Sequence, residues 1–525
     1  MSLKRMARRE FLAIAAKTAA ACSVLNARTA QAAAASSLAK DPRRPQFHLL
    51  PAANWMNDPD GPIYWKDRYH MFFQYNPNAA VWGDMHWAHA VSPDMVHWKH
   101  LPVVLAPTPG GPDADGCFSG TAVVRDGVPT FIYTGVVSVP EVQATLKDGA
   151  HSYRESQCYA TSSDPELRTW TKRQNPVIAA PPSSLEITGF RDPAPWKASD
   201  GWYMAVGSGI RGKGGAVLLY KSQDLQNWEY QHLLCGGEAK GTGNAANPVD
   251  SGDMWECPDF FPLGDKHVLI YSTQGKVLWQ SGDLDPKTML FHAGQSGLLD
   301  YGSFYAPKTQ LDKHGARILW GWIQETRPQA EYSAAGWAGL MSLPRVLTLG
   351  ADGRLRMAVV PEVEKLRRHE QKLRLAPSNA GGRELISDGR LKDACGEILC
   401  LVQPSSEPFT LDLLSVTDAS GVQPPDAQPS LLSIRYSRAN AKELVVDQQR
   451  LPVHLAEGEA LELRFFVDGS VIELFVNGQV SCTKRFYYAA ATAPEIAISA
   501  TGKPTDITRL SMWQLSPISK DRLTS

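Results

Sequence analysis

Ser92-Pro93-Asp94-Met95-Val96-His97-Trp98 is a phrase that the chain repeats in altered form. It returns as Ser163-Asp164-Pro165-Glu166-Leu167-Arg168-Thr169-Trp170 and as Ser222-Gln223-Asp224-Leu225-Gln226-Asn227-Trp228. A weaker version opens at Ser281-Gly282-Asp283 and closes on Phe291. The closing aromatics are spaced about sixty residues apart, room for four short strands with generous loops. Between them run aromatic and β-branched stretches cut by Gly, Pro, Asp and Asn, with almost no helical periodicity. Each phrase therefore reads as a turn in which Ser and Asp side chains bond nearby backbone, with the aromatic packed between blades. Each period reads as one blade of a β-propeller. A last unit at residues 319–345 makes five. A large β-sandwich with chance likeness between its turns is the competing architecture.

Outward from these repeats the texture changes twice. Residues 351–377 are charged, with a short helix predicted at 361–371, and read as a linker. From 378 to 525 alternating segments return, among them Leu461-Glu462-Leu463-Arg464-Phe465-Phe466-Val467 and Val471-Ile472-Glu473-Leu474-Phe475-Val476. Asp468-Gly469 and Asn477-Gly478 supply hairpin turns. The expected fold is all-β: a five-bladed β-propeller over 41–350 followed by a C-terminal β-sandwich, which holds no cluster of catalytic residue types.

Residues 1–40 read as an export signal. Arg8-Arg9-Glu10-Phe11-Leu12 resembles a twin-arginine motif, a modestly apolar run follows, and Ala30-Gln31-Ala32 fits a cleavage site. That run is too short and too polar to cross a membrane. Cys22 after three alanines offers a lipid-anchor alternative. The expected location is periplasmic or extracellular. The remaining cysteines, Cys117, Cys158, Cys235, Cys257, Cys395, Cys400 and Cys482, have no framework spacing and read as packed thiols; a local Cys395–Cys400 bridge stays open.

Lys plus Arg (53) almost cancels Asp plus Glu (54), so no basic field exists for nucleic acid or an anionic membrane, and a neutral substrate fits better. The sequence is silent on oligomeric state. Against that even background three acids stand out. Asp58 lies in Asn54-Trp55-Met56-Asn57-Asp58-Pro59-Asp60-Gly61, Asp192 in Phe190-Arg191-Asp192-Pro193, and Glu256 in Trp255-Glu256-Cys257-Pro258-Asp259. Each precedes its blade's closing aromatic by a similar interval, which puts all three on innermost strands at one hub. Asp58 and Asp192 directly precede Pro, so both are predicted to be extended. Trp55, Met56, Phe190 and Trp255 bring apolar walls, which raise a carboxyl's pKa as a general acid requires. Breaking an acetal needs a proton for the leaving oxygen and an anion facing the developing oxocarbenium ion; a carboxylate separation of about 5–5.5 Å means retention. The bland reading of each acid is a turn cap or an ion pair, as between Asp192 and Arg191.

These blocks, with Phe118-Ser119-Gly120, resemble the signatures of family 32 of the glycoside hydrolases, which holds invertases, levanases, inulinases and fructan exohydrolases. The similarity continues through Phe72-Phe73-Gln74-Tyr75-Asn76-Pro77, Tyr305-Ala306-Pro307-Lys308-Thr309, Gly336-Trp337-Ala338-Gly339 and Phe466-Val467-Asp468-Gly469-Ser470. The resemblance implies Asp58 as nucleophile, Glu256 as acid/base and Asp192 as transition-state stabiliser. It implies Asn57, Gln74, Trp82, Ser119 and Arg191 as contacts to a terminal fructosyl unit, with Trp55 and Phe118 as walls, no cofactor and no metal. The implied activity is release of β-D-fructofuranosyl units from sucrose or fructans such as levan and inulin. Fructosyl transfer through the same intermediate, an arabinan-cleaving propeller and a non-catalytic sugar-binding propeller are the rivals.

Two features depart from the pattern. Asp60 stands where the family more usually carries Asn, and adds a charge beside the nucleophile unless it points away. Residues 136–157 form a polar insertion, expected as a rim loop. His86 and His89 read as packing residues and Cys257 as a small buried neighbour. The glycine-rich stretch Gly207-Ser208-Gly209-Ile210-Arg211-Gly212-Lys213-Gly214-Gly215 lacks the strand-to-helix setting of a phosphate loop and reads as a hairpin.

Overall fold

The computed structural model describes residues 38–149, 153–236, 243–244, 247–377, 384–403, 408–416, 430–436, 443–488, 493–501 and 506–519. Residues 1–37 of the expected export signal, Cys22 among them, lie outside the described residues. Five antiparallel sheets of four main strands follow one another. Their innermost strands are Asn54–Trp65, Gly116–Arg125, Ile187–Ala198, Glu256–Leu263 and Phe304–Leu311. Each touches the next and the last touches the first, so the ring is closed. Second strands such as Gly201–Ile210 are buried along their whole length, because neighbouring blades cover both faces. Outermost strands such as Trp228–Gly236 are largely half-exposed.

The repeated phrase is the turn between third and fourth strands. In blade 1 the Ser92 hydroxyl accepts the Asp94 amide at 3.1 Å, and the Asp94 carboxylate accepts the amides of Val96 and His97 at 3.1 and 2.9 Å. Blade 3 repeats this with Ser222 and Asp224. The Trp98, Trp170 and Trp228 indoles donate to the carbonyls of Met95, Leu167 and Leu225, all three in the left-handed region. Two details differ from expectation. Ser162, not Ser163, accepts the Asp164 amide, and in blade 4 Asp285 takes the role expected of Asp283. The turn selects side chains that reach an amide, and adjacent Ser or Asp residues look alike in a linear reading.

The ring closes where Trp337–Ala338 pairs in parallel with Asn54 and Trp55 of blade 1. Gly339 (φ 76) follows at a point where a Cβ would lie 1.9 Å from the Met56 carbonyl oxygen, so only glycine fits.

Residues 351–377 are not a linker, and the domain limits move accordingly. Leu355–Val359 pairs with Arg345–Leu349 and completes blade 5. Pro361–Leu366 is a short 3₁₀ turn in place of the expected helix, and Arg367–Lys372 already pairs with Ile507–Leu515 in the sandwich. The latter is an edge strand whose charged side chains face solvent, so it needs no apolar alternation and hides from a pattern search. The sandwich packs a six-stranded sheet against a seven-stranded one. Cys395 and Cys400 lie five residues apart on one strand and so face opposite ways, and no disulfide joins any two of the described cysteines.

A fully buried ionic network joins the domains. Arg345 of blade 5 reaches Asp300 at 3.0 Å and Glu473 of the sandwich at 2.5 Å. His48, which precedes blade 1, bridges Asp468 at 2.8 Å and Glu473 at 2.9 Å. Burial alone disfavours the imidazolium, yet the two carboxylates raise His48 to about 9. At neutral pH it is a cation that donates from both ring nitrogens.

Candidate active site

Four of the five innermost strands carry the same irregularity. A residue in the left-handed region precedes Pro at Gly61 (φ 52), Asp192 (φ 62), Cys257 (φ 47) and Ala306 (φ 50). At each the pairing with the second strand slips. Such a bulge bends the strand and re-aims its side chains. The expected extended geometry therefore fails for Asp192. The Asp192 amide instead donates to the Thr134 hydroxyl at 2.9 Å, which helps hold a conformation that a non-glycine residue adopts only at a cost of about 1–3 kcal/mol. The three acids also occupy different steps relative to the bulge. Asp192 is the bulge residue, Glu256 precedes it, and Asp58 lies three before Gly61.

All three line one cavity of about 1030 Å³, together with Asn57, Gln74, Trp82, Phe118, Ser119 and Arg191 from the sequence expectation. Trp55 is not among the lining residues. It is buried behind Asn57, to whose side-chain oxygen its indole donates at 2.7 Å, and Trp322 packs edge-on against it and lines the cavity instead. Trp82 stands at the mouth, 58% exposed and packed on Phe118.

The Asp58 carboxylate accepts the Ser119 hydroxyl at 2.7 Å and the Asn57 side-chain Nδ2 at 3.0 Å. Burial still raises its pKa, these two bonds oppose the rise, and the Glu256 charge adds to it. Asp192 accepts the Cys257 amide at 2.8 Å; burial, against the pull of Arg191 and with the push of Glu256 and Asp58, brings it to about 6. The Cys257 thiol lies 3.4 Å from Asp58 and 3.5 Å from Asp192, a weak donor shared by two acids. Asp60 is wholly buried, bonded to Gln74 at 3.2 Å, and burial with the neighbouring Asp58 charge holds it well above the carboxylate range. That shift works against the added charge beside Asp58 that the sequence suggested.

Glu256 departs from expectation. Burial pushes its pKa up, but Arg191 and the Tyr305 hydroxyl pull harder, and it lies below its ordinary value. Arg191 donates to Glu256 at 2.8 Å, and Tyr305 donates to its other oxygen at 2.6 Å. Relative to their ordinary values, Glu256 is thus shifted toward its ionised form and Asp58 and Asp192 toward their protonated forms.

Linear reading missed Tyr305 and Glu155 as site residues. Tyr305 sits one residue before the blade 5 bulge, as Glu256 does in blade 4, and that register is a usable signal. Glu155 lies in the insertion, whose ends are strand, in Val128–Ser138 and Tyr153–Thr161, and not rim loop. Between them Leu146, Lys147 and Asp148 line the cavity, and the segment is tied to blade 3 by the Lys147 amide on the Ile187 carbonyl at 2.6 Å. Arg211 of the glycine-rich hairpin donates to the Lys147 carbonyl at 2.9 Å. His89 stacks on Phe72 and bonds His70, in the manner of a packing residue.

A propeller hub that gathers several carboxylates round one open cavity can carry the two-carboxylate chemistry of a glycoside hydrolase. The family model for the "Glycosyl hydrolases family 32 N-terminal domain" matches residues 48–359, and that for "Glycosyl hydrolases family 32 C terminal" matches 362–514. The chain belongs to glycosyl hydrolase family 32. It is 34% identical to a sucrose-6-phosphate hydrolase of Escherichia coli over 90% of this chain and 94% of the relative. It is 35% identical to a raffinose invertase of Escherichia coli over 90% and 95%. The crystal structure of a fructan 1-exohydrolase from Cichorium intybus superposes with a TM-score of 0.73 at 27% identity, covering 91% of this chain and 98% of that one.

Proposed function

We propose that this enzyme releases terminal β-D-fructofuranosyl units from sucrose or fructans by a retaining, two-step displacement. The observation that carries the reading is the meeting of Asp58, Asp192 and Glu256 in one cavity of a family 32 chain. Asp58 attacks the anomeric carbon while Glu256 gives its proton to the departing oxygen, so the fructosyl–oxygen bond breaks as an ester to Asp58 forms. Glu256, now anionic, takes a proton from water, which opens the ester and regenerates Asp58. Asp192 accepts ring hydroxyls whose hydrogen bonds strengthen as positive charge develops. The donors on Asp58 orient it, and Trp82 and Phe118 supply the apolar wall. The polar wall of Lys147, Asp148 and Arg211 suits a hydroxyl-rich leaving group.

Sugar analysis with sucrose, raffinose, inulin and levan tests this, since a terminal mode liberates free fructose from each substrate accepted. In aqueous methanol a retaining enzyme yields the methyl β-fructofuranoside; the α anomer, or no fructose from any substrate, ends the proposal. The Arg8-Arg9 motif supports twin-arginine export, and replacing both arginines by lysine is expected to leave the enzyme inside the cell.

A further inference from the structure

The inserted segment that ends in Tyr153–Thr161 sends one acid across to the next blade. Glu155 is 2% exposed and makes two bonds there. One oxygen accepts the Arg191 guanidinium at 2.9 Å, and the other accepts the Phe190 amide at 2.6 Å. The same guanidinium gives its other terminal nitrogen to Glu256 at 2.8 Å and its Nε at 3.3 Å. One cation therefore stands between two carboxylates, one of which is the acid/base of the proposed reaction. Burial works against the charge on Arg191, but Glu155, then Glu256 and Asp192, hold it firmly cationic.

We propose that Glu155 is a positioning residue for the acid/base: by binding one edge of Arg191 it divides that cation between itself and Glu256. It thereby decides how readily Glu256 carries the proton that the leaving group needs. The proposal rests on the reading of Glu256 given above and deepens it. An undivided Arg191 would hold Glu256 more strongly in its anionic form, which suits the second step and starves the first. Glu155 also fixes the backbone from which Arg191 projects, through the Phe190 amide. The other charged or titratable groups that interact with Glu256 are Asp58 from blade 1, Asp192 from blade 3, Tyr305 from blade 5, and its own neighbour Cys257. All stay in place in the variant Glu155→Gln, which keeps the shape and removes the charge.

The test compares sucrose with an aryl β-D-fructofuranoside whose phenolate departs without a proton. For Glu155→Gln, kcat/KM on sucrose at neutral pH should fall about tenfold, the effect of roughly one pH unit on the proton of Glu256. That gap should narrow as the pH is lowered, while the aryl substrate stays within about twofold of wild type. Equal losses on both substrates at every pH, whether through misfolding or a role in binding alone, overturn the proposal, as does an unchanged rate on sucrose. Failure of the wild type to cleave either substrate tells instead against the underlying reading of the site.

Discussion

The hub and the domain interface are built from the same materials and treat them in opposite ways. At the interface Asp300, Asp468 and Glu473 meet two cations, Arg345 and the protonated His48, and backbone amides of Gln46, Phe47 and Leu343 add donors. Burial raises Glu473, but Arg345 and His48 outweigh it, and its pKa is lowered. At the hub Glu155 and Glu256 share the Arg191 guanidinium, while Asp58 is bonded to Ser119 and Asn57, Asp60 to Gln74, and Asp192 to the Cys257 amide. There Asp58, Asp60 and Asp192 are all pushed up. Buried acids with enough partners become structure; buried acids with too few become a store of exchangeable protons. The deficit of positive charge marks the site better than the presence of acids does.

That contrast can be broken most severely at the hub. Asp58→Asn is expected to lower kcat by roughly four orders of magnitude or more without lowering the melting temperature, because it removes the proposed nucleophile from an under-neutralised cluster. Fructose release with a parallel thermal scan measures both. Arg345→Met should do the reverse: a loss of about 3–5 kcal/mol of stability from stranded carboxylates, with turnover per folded molecule retained. Urea unfolding monitored by Trp fluorescence reads the first quantity, and active-site-normalised rates the second.

His48 sharpens the comparison through pH. Its folded pKa of about 9 lies above the unfolded 6.5, so its stabilisation is complete below about 6.5 and is lost as pH rises through 9. The full effect is about 3 kcal/mol, and His48→Gln should flatten the alkaline side of the stability profile. Asp192 has the opposite sign. Its folded pKa of about 6 exceeds the ordinary 3.8, so the folded state binds more protons between those values and stability falls as pH rises through that window. Asp192→Asn should recover about 2–3 kcal/mol near neutrality while impairing hydrolysis, a gain in stability at the expense of function.

Much of this was legible in the sequence, for definable reasons. The turn phrases survive as local hydrogen-bond patterns, so Asp94 and Asp224 announced the blades from a few adjacent residues. The acids stood out because Pro follows close behind each. What stayed hidden was cross-chain geometry. Nothing near Glu155 in sequence says that Arg191 faces it, and the fall in the Glu256 pKa depends on that arginine and on Tyr305 of another blade. The rule that a residue before Pro is extended also gave way at Asp192, where a shared bulge overrides local preference.

The seam at Trp337–Ala338 has a further consequence. It clamps Asn54 and Trp55, four and three residues upstream of Asp58, with chain made after four blades are complete. The ring cannot be shut, nor the strand that carries Asp58 anchored at its start, until that late segment arrives. Opening the seam would silence the enzyme before the blades themselves came apart. Heat inactivation should therefore precede the loss of most β-structure.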